Sequence, residues 1–193
     1  GNCYKVRLTA HMLGLPLELV DIDILKGESR SEDFLRRNPN GRVPMVEFED
    51  GRILAESNAI MFYLAEGTPL LPEDRFARAQ ALQWMFFEQY SHEPYIAVAR
   101  FWHSIKPGGR EEKKDRFPEW HERGYQALAV MERHLSAREW FAGDDCSIAD
   151  IALYAYTHVA HEGGFDLSPY GAIKGWMARL SAQPNHVPMD WRP

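Results

Sequence analysis

Apolar residues recur at helical spacing along the first stretch of the chain. Val6, Ala10 and Leu13 stack on one side with Leu8 and Met12 beside them, and Gly14 stands where a left-handed C-terminal stop belongs. From Leu17 to Leu25 the period shortens to two. Leu17, Leu19, Asp21 and Asp23 fall on one side, and Glu18, Val20, Ile22 and Ile24 on the other, which predicts a strand with one strongly apolar face. A short helix is predicted from Ser31-Glu32-Asp33 through Phe34 and Leu35, ending before Asn38-Pro39. Met45 to Glu49 and Arg52 to Ala55 flank Asp50-Gly51, the signal for an antiparallel hairpin with a two-residue turn. Ser57 is placed to cap a helix whose apolar run extends from Ala59 to Leu64.

Past Gly67-Thr68-Pro69-Leu70-Leu71-Pro72, a linker by its prolines and glycine, the pattern turns wholly helical. A long run covers Arg75 to Ile105, with Phe76, Ala79, Leu82, Phe86 and Tyr90 as its apolar face. Pro94 is expected to kink or break it, and Lys106-Pro107-Gly108-Gly109 ends it. A second helix spans about Glu111 to Leu135, with Pro118 dividing it and Ala127, Val130, Met131 and Leu135 facing the core. Ser147-Ile148-Ala149-Asp150 reads as a capping box, with Cys146 and Ile151 at the staple positions, and a last helix covers about Ile173 to Ser181. The expected organisation is an α/β unit over residues 1–66, a linker over 67–74 and an all-α unit over 75–193.

Composition narrows the function classes. The 193 residues are 45% hydrophobic and 12% aromatic, enough for a sizeable core. A net charge of −6 with no Lys/Arg block argues against nucleic acid as a partner. The longest apolar runs are too short to span a bilayer, so no membrane partner is expected. The two cysteines, Cys3 and Cys146, form no CxxC and no metal-type spacing, which suits a reduced, cytoplasmic setting. His158, His161 and Glu162 lack a third supported ligand and are read as surface groups.

The densest chemistry lies between Asn38 and Tyr63. An X-Pro bond at Val43-Pro44, if cis, leaves the Val43 N–H and C=O facing outward, where a short extended peptide can pair with them. A helix starting at Ser57 offers free N–H groups, a hydroxyl and a positive dipole end to a carboxylate. Glu56 beside it suits an ammonium. A ligand with a backbone-like amide and an amino-acid head satisfies all three, and the γ-glutamyl end of glutathione is such a head.

In order, NPNGRVP, a DG hairpin and ESNAI resemble the glutathione-binding half of a soluble glutathione S-transferase, most of all its bacterial theta-, beta- and nu-like branches. AGDDCSIADIAL resembles the capped core helix of the same family's all-α half, whose role is folding. The resemblance implies a thioredoxin-like first domain followed by an all-helical one. It gives Val43 the pairing with the cysteinyl backbone, Pro44 the bend, and Glu56 with Ser57 the γ-glutamyl group. Lys26 and Arg42 are the cations available for the glycine carboxylate. It further implies that the family's first strand would lie ahead of Gly1, with a thiol-activating residue, expected to be Ser, just before it.

Asn2 is a plausible N-cap of the first helix, and by resemblance to the nu-like branch it donates to the glutathione sulfur. Cys3 sits in the first helical turn, where the dipole lowers a thiol pKa, so both a reactive thiol and a small packed hydrophobe are open readings. Phe86, Phe87, Tyr90, Tyr95, Phe101 and Trp102 supply aromatic surface for the core and for a co-substrate wall. The function implied is conjugation of glutathione to a small apolar electrophile. Glutathione-dependent disulfide or peroxide reduction, and a non-catalytic binding or scaffold role, are the alternatives. A homodimer is expected, with the hairpin side meeting the partner's first long helix.

Overall fold

The computed structural model describes residues 1–192. Helix α1 (Asn2–Met12) is followed by a segment without regular structure, a single 3₁₀ turn (Glu28–Arg30) and α2 (Glu32–Arg37). Strands β1 (Met45–Glu47) and β2 (Ile53–Ala55) form an antiparallel hairpin with Met45 opposite Ala55, Val46 opposite Leu54 and Glu47 opposite Ile53. Helix α3 (Ser57–Ala65) leaves the hairpin and packs against α1. Everything beyond is helical: α4 (Arg75–Phe87), α5 (Glu93–Arg100), α6 (Gly109–Glu112), α7 (Phe117–Leu135), α8 (Ile148–Thr157) and α9 (Gly171–Ser181). An α/β part thus precedes an all-helical part, as the sequence predicts.

The core centres on α8, every residue of which is buried. Its start is fixed by the predicted capping box: Ser147 caps with its hydroxyl, while the Asp150 carboxylate accepts from the Ser147 N–H at 2.9 Å. Asp150 also accepts from Phe141 N (3.1 Å) and Trp176 Nε1 (2.9 Å), so one carboxylate ties α8 to the preceding loop and to α9. The Ile148 N–H reaches back to the Leu70 carbonyl at 2.9 Å and pins the stretch after α3 onto the helical part. Helices α1 and α3 also pack on α8, so one helix is shared by both halves. The C-terminal tail straps across α1: Tyr4 Oη donates to Val187 O at 2.6 Å, and Arg7 donates to Met189 O at 2.6 Å.

Four local expectations are corrected. Leu17 to Leu25 is not a strand; among the described residues only β1 and β2 pair, so the alternating stretch has no ladder to join, and Val20 is 79% exposed. The hairpin turn has three residues rather than two. Phe48 N donates to Arg52 O and Gly51 N to Phe48 O, and only Gly51 has a positive φ (79°). Asp50 instead bonds Arg52 N through its side chain at 3.0 Å.

The third correction concerns α4. Its buried side is Ala81, Trp84 and Met85, whereas Phe76, Ala79 and Phe86, with Tyr90 in the turn that follows, point to solvent. Both sides of this helix carry apolar residues, so periodicity alone did not choose between them. The fourth is His158, which is half-buried and stacks on Tyr154 with ring centroids 4.4 Å apart, not a free surface group. Pro94 falls in the first turn of α5, where its missing N–H is not needed, and a π-helical turn (Glu88–His92) joins α4 to it.

Candidate active site

Three helix beginnings converge on one cleft. Its walls are Asn2 from α1, Asn38, Arg42, Val43 and Pro44 from the loop before β1, Glu56 and Ser57 from the start of α3, and Gln89 with Glu93 from the π turn and α5. The cleft encloses about 390 Å³, mouth included.

The loop is built by its own polar residues. Asn38 is 5% exposed; its amide donates to Arg42 O at 2.7 Å, and its side-chain oxygen accepts from Asn40 N at 3.2 Å. Gly41 takes a φ of 63°, and a Cβ there would press on the Arg30 guanidinium at 2.6 Å. The Val43-Pro44 bond is cis. Neither the N–H nor the C=O of Val43 has a hydrogen-bond partner among the described residues.

At the start of α3 the cap assignment shifts by one residue. Glu56, not Ser57, is the residue before the helix, and it sits at φ 67°, ψ 111°, a region that costs a non-glycine residue about 1–3 kcal/mol. The Glu56 carbonyl still starts the helix by accepting from Ile60 N at 2.9 Å. Its carboxylate is held loosely, by Asn40 Nδ2 at 3.3 Å, and stays exposed. Ser57 is therefore the first helical residue, 5% exposed, with its hydroxyl free of capping duty.

That hydroxyl donates to Asn2 Oδ1 at 3.4 Å, and Asn2 Nδ2 donates to Glu93 Oε1 at 3.4 Å. Asn2 is correspondingly not the N-cap of α1. Gly1 precedes the helix and no side chain caps it. The Asn2 backbone N–H is taken by Tyr156 Oη at 3.1 Å. Burial raises the Glu93 carboxyl above the usual range, the Glu88 charge adds to this, and Lys5 and the Asn2 contact oppose it.

Behind the cleft wall, Lys5 and Glu88 form an ion pair at 2.7 Å with neither side chain exposed. Glu88 also accepts from Asn58 Nδ2 (3.2 Å) and Gln89 Nε2 (2.8 Å). One buried carboxylate therefore ties α1, α3 and the π turn, the elements that carry Asn2, Ser57 and Gln89. A paired buried charge costs desolvation, but it fixes relative positions, since losing either partner strands the other.

The sequence candidates separate on this geometry. Asn2, Arg42, Val43, Pro44, Glu56 and Ser57 share the cleft. Lys26 does not line it; its ammonium is 77% exposed and pairs with Asp23 at 3.2 Å. Cys3 does not line it either, and although its side chain reaches solvent, the protein packed around the sulfur raises its thiol pKa, against the lowering that a helix start suggests. Sequence reading missed Asn38, Gln89 and Glu93. Gln89 and Glu93 are four apart on a helical run, one signal of a shared polar face, but nothing local says what that face meets. None of the six candidate wall aromatics lines the cleft. Among the described residues no group of three metal-ligating side chains exists, and no helix is long and apolar enough to cross a membrane.

The family model for the glutathione S-transferase N-terminal domain matches residues 1–66, and that for the C-terminal domain matches residues 81–184. A glutathione S-transferase crystal structure from Pseudomonas fluorescens is similar at 55% identity and a TM-score of 0.95, covering 98% of this chain and 94% of that one. A glutathione transferase from Burkholderia graminis, crystallised with two glutathione molecules per subunit, is similar at 27% identity and a TM-score of 0.81, covering 95% and 81%. The disulfide-bond oxidoreductase YfcG of Escherichia coli is 30% identical over 190 residues, 95% of this chain and 87% of its own.

Proposed function

The chain belongs to the glutathione S-transferase family, and on that premise we propose that it binds glutathione in the Asn2–Glu56–Ser57 cleft and transfers it, through sulfur, to an electrophilic carbon. The observation that carries this reading is convergence. Free backbone groups at Val43, a helix start with a hydroxyl at Ser57, an acid at Glu56 and one cation at Arg42 face a single cleft.

Each group matches one part of the tripeptide. The first N–H groups of α3 and the Ser57 hydroxyl take the γ-glutamyl carboxylate, and Glu56 takes the ammonium beside it. Val43 pairs with the cysteinyl backbone as an added strand would. Arg42, the one Lys or Arg on the cleft wall among the described residues, takes the glycine carboxylate. The sulfur is left at the start of α1, where the helix dipole and the Asn2 amide favour thiolate over thiol. The thiol proton goes to solvent, the thiolate attacks carbon, a C–S bond forms and the leaving group departs with its electron pair.

A second reading has its own support, the likeness to a disulfide-bond oxidoreductase over nearly the whole chain, together with cleft walls in which, among the described residues, Val43 and Pro44 are the only apolar ones. There the same thiolate attacks a disulfide sulfur and a thiolate leaves.

Calorimetric titration with glutathione tests the binding step. Ser57→Ala and Glu56→Ala are each expected to weaken binding more than about tenfold, since a lost partner to a charged group is worth about 1.5–3 kcal/mol. Lys26→Ala is expected to bind as wild type. Turnover of 1-chloro-2,4-dinitrobenzene against bis(2-hydroxyethyl) disulfide then separates the two chemistries. Wild-type affinity in both cleft variants would place the head group elsewhere.

A further inference from the structure

Among the described residues Glu93 is the one carboxylate that the helical half contributes to the cleft, and the binding scheme above leaves it without a task. Among the described residues no Lys or Arg pairs with it, unlike its neighbour Glu88, which Lys5 neutralises. Its only side-chain partner there is the Asn2 amide. Its place is well fixed: it opens α5, with Pro94 next, directly after a π turn anchored through Glu88.

A carboxamide has a donating end and an accepting end, and its neighbours decide which way it faces. An ionised carboxylate can only accept, so Glu93 selects the NH₂ end of Asn2. Without ligand the Ser57 hydroxyl donates to Oδ1 and favours the same orientation; once its single proton goes to the γ-glutamyl carboxylate, the choice falls to Glu93 alone. Glu93 therefore selects one orientation of the amide and uses one of its two N–H bonds. The second N–H remains for another acceptor in the cleft.

We propose that Glu93 is a positioning residue for the glutathione sulfur: by accepting from Asn2 Nδ2 it holds the amide so that the second N–H faces the thiolate. This rests on the glutathione reading of the cleft. Without Glu93 the amide turns about its last torsion, and its oxygen, which repels a thiolate, reaches the sulfur position as readily as its nitrogen. The helical half thereby acts on the thiol without touching it. The negative charge of Glu93 itself opposes a nearby thiolate, so its useful property is that it accepts a hydrogen bond, not that it is charged. Glutamine keeps an accepting oxygen on a side chain of the same length; alanine and aspartate do not reach.

The test reads the thiolate ultraviolet absorbance of bound glutathione against pH in Glu93→Gln, Glu93→Ala, Asn2→Ala and the Glu93→Ala/Asn2→Ala double variant, with calorimetric affinity alongside. Glu93→Ala and Asn2→Ala are each expected to raise the apparent thiol pKa by about one unit, a tenfold loss of thiolate at neutral pH. The double variant should be no worse than either single one. Glu93→Gln should titrate at or below the wild-type pKa. Affinity should change little, because the sulfur is a small part of the ligand. Where Glu93→Ala does not fold, Glu93→Asp takes its place with the same expectation. A wild-type titration in Glu93→Ala, additive effects in the double variant, or Glu93→Gln matching Glu93→Ala would each overturn the proposal while leaving glutathione binding intact. Wild-type protein that binds no glutathione at all would overturn the binding scheme, and this role with it.

Discussion

His92 is fully buried, and one neighbour decides that its Nε2 carries a proton. Thr157 Oγ1 spends its own hydrogen on Leu153 O at 2.7 Å, so it can only accept from His92 Nε2, 2.9 Å away. Nε2 therefore carries a proton, and Nδ1 has no partner among the described residues. Burial pulls its pKa down to about 3, and the Lys5 charge adds to this. The folded value lies below the unfolded one, so the unfolded chain takes up the proton first. Stability from this group is complete above about pH 6.5 and is lost as pH falls toward 3, with a slope of up to about 1.4 kcal/mol per pH unit. Urea unfolding from pH 7 to pH 4 should show that slope in wild type. His92→Asn, which keeps a donor for Thr157, should lose about one proton's worth of it. Parallel curves for the two proteins would mean that other groups govern the acid limb.

On the scale of elements, α8 depends most on local sequence. The box at its start needs a hydroxyl at Ser147 and a carboxylate three residues on, and both are met in a buried setting where water cannot substitute. Ser147→Ala should cost about 1–2 kcal/mol. Asp150→Ala should cost more than about 3 kcal/mol, because Phe141 N, Ser147 N and Trp176 Nε1 lose their acceptor together. Chemical denaturation of both variants measures this, and equal small losses would mean that α8 is held by apolar packing alone. Elsewhere, element type was legible but its partner was not. Leu17 to Leu25 alternates as a strand does, yet a strand exists only through a neighbour's hydrogen bonds. The hairpin was legible from Asp50-Gly51, but the Asp50 side chain, by bonding Arg52, made a three-residue loop.

At the level of the whole molecule, the outward side of α4 is the feature that a single chain leaves unexplained. Phe76 and Phe86 on α4 and Tyr90 on the π turn after it are 72%, 71% and 84% exposed, and Tyr63 on α3 is 47% exposed beside Phe48 of the hairpin, ring centroids 4.9 Å apart. Aromatic side chains at this exposure along one helix are the composition of a protein interface. We propose that they are covered by a second copy of the chain about a two-fold axis, the hairpin side of one meeting α4 of the other. Light scattering at micromolar concentration should give twice the chain mass, and Phe86→Glu should reduce it to one. A wild-type mass of one chain would end this reading.

Much of the molecule followed from the sequence by itself: the α/β-then-α order, the capping box, the hairpin and the segment that carries Val43, Pro44, Glu56 and Ser57. These are short-range features, set by turn chemistry, caps and periodicity within a few residues. What only the tertiary structure decided were relations between distant segments. Which side of α4 is buried depended on Trp84 meeting His134 and Phe141. That Lys26 points away while Arg42 lines the cleft depended on where the loop before β1 lies. Glu93 and Gln89 join Asn2 and Ser57 where Lys5 and Glu88, 83 residues apart, pair in the interior. Sequence spacing carries no trace of such a contact, because the attraction between the two charges can offset the cost of taking them out of water only once the two halves have packed around both.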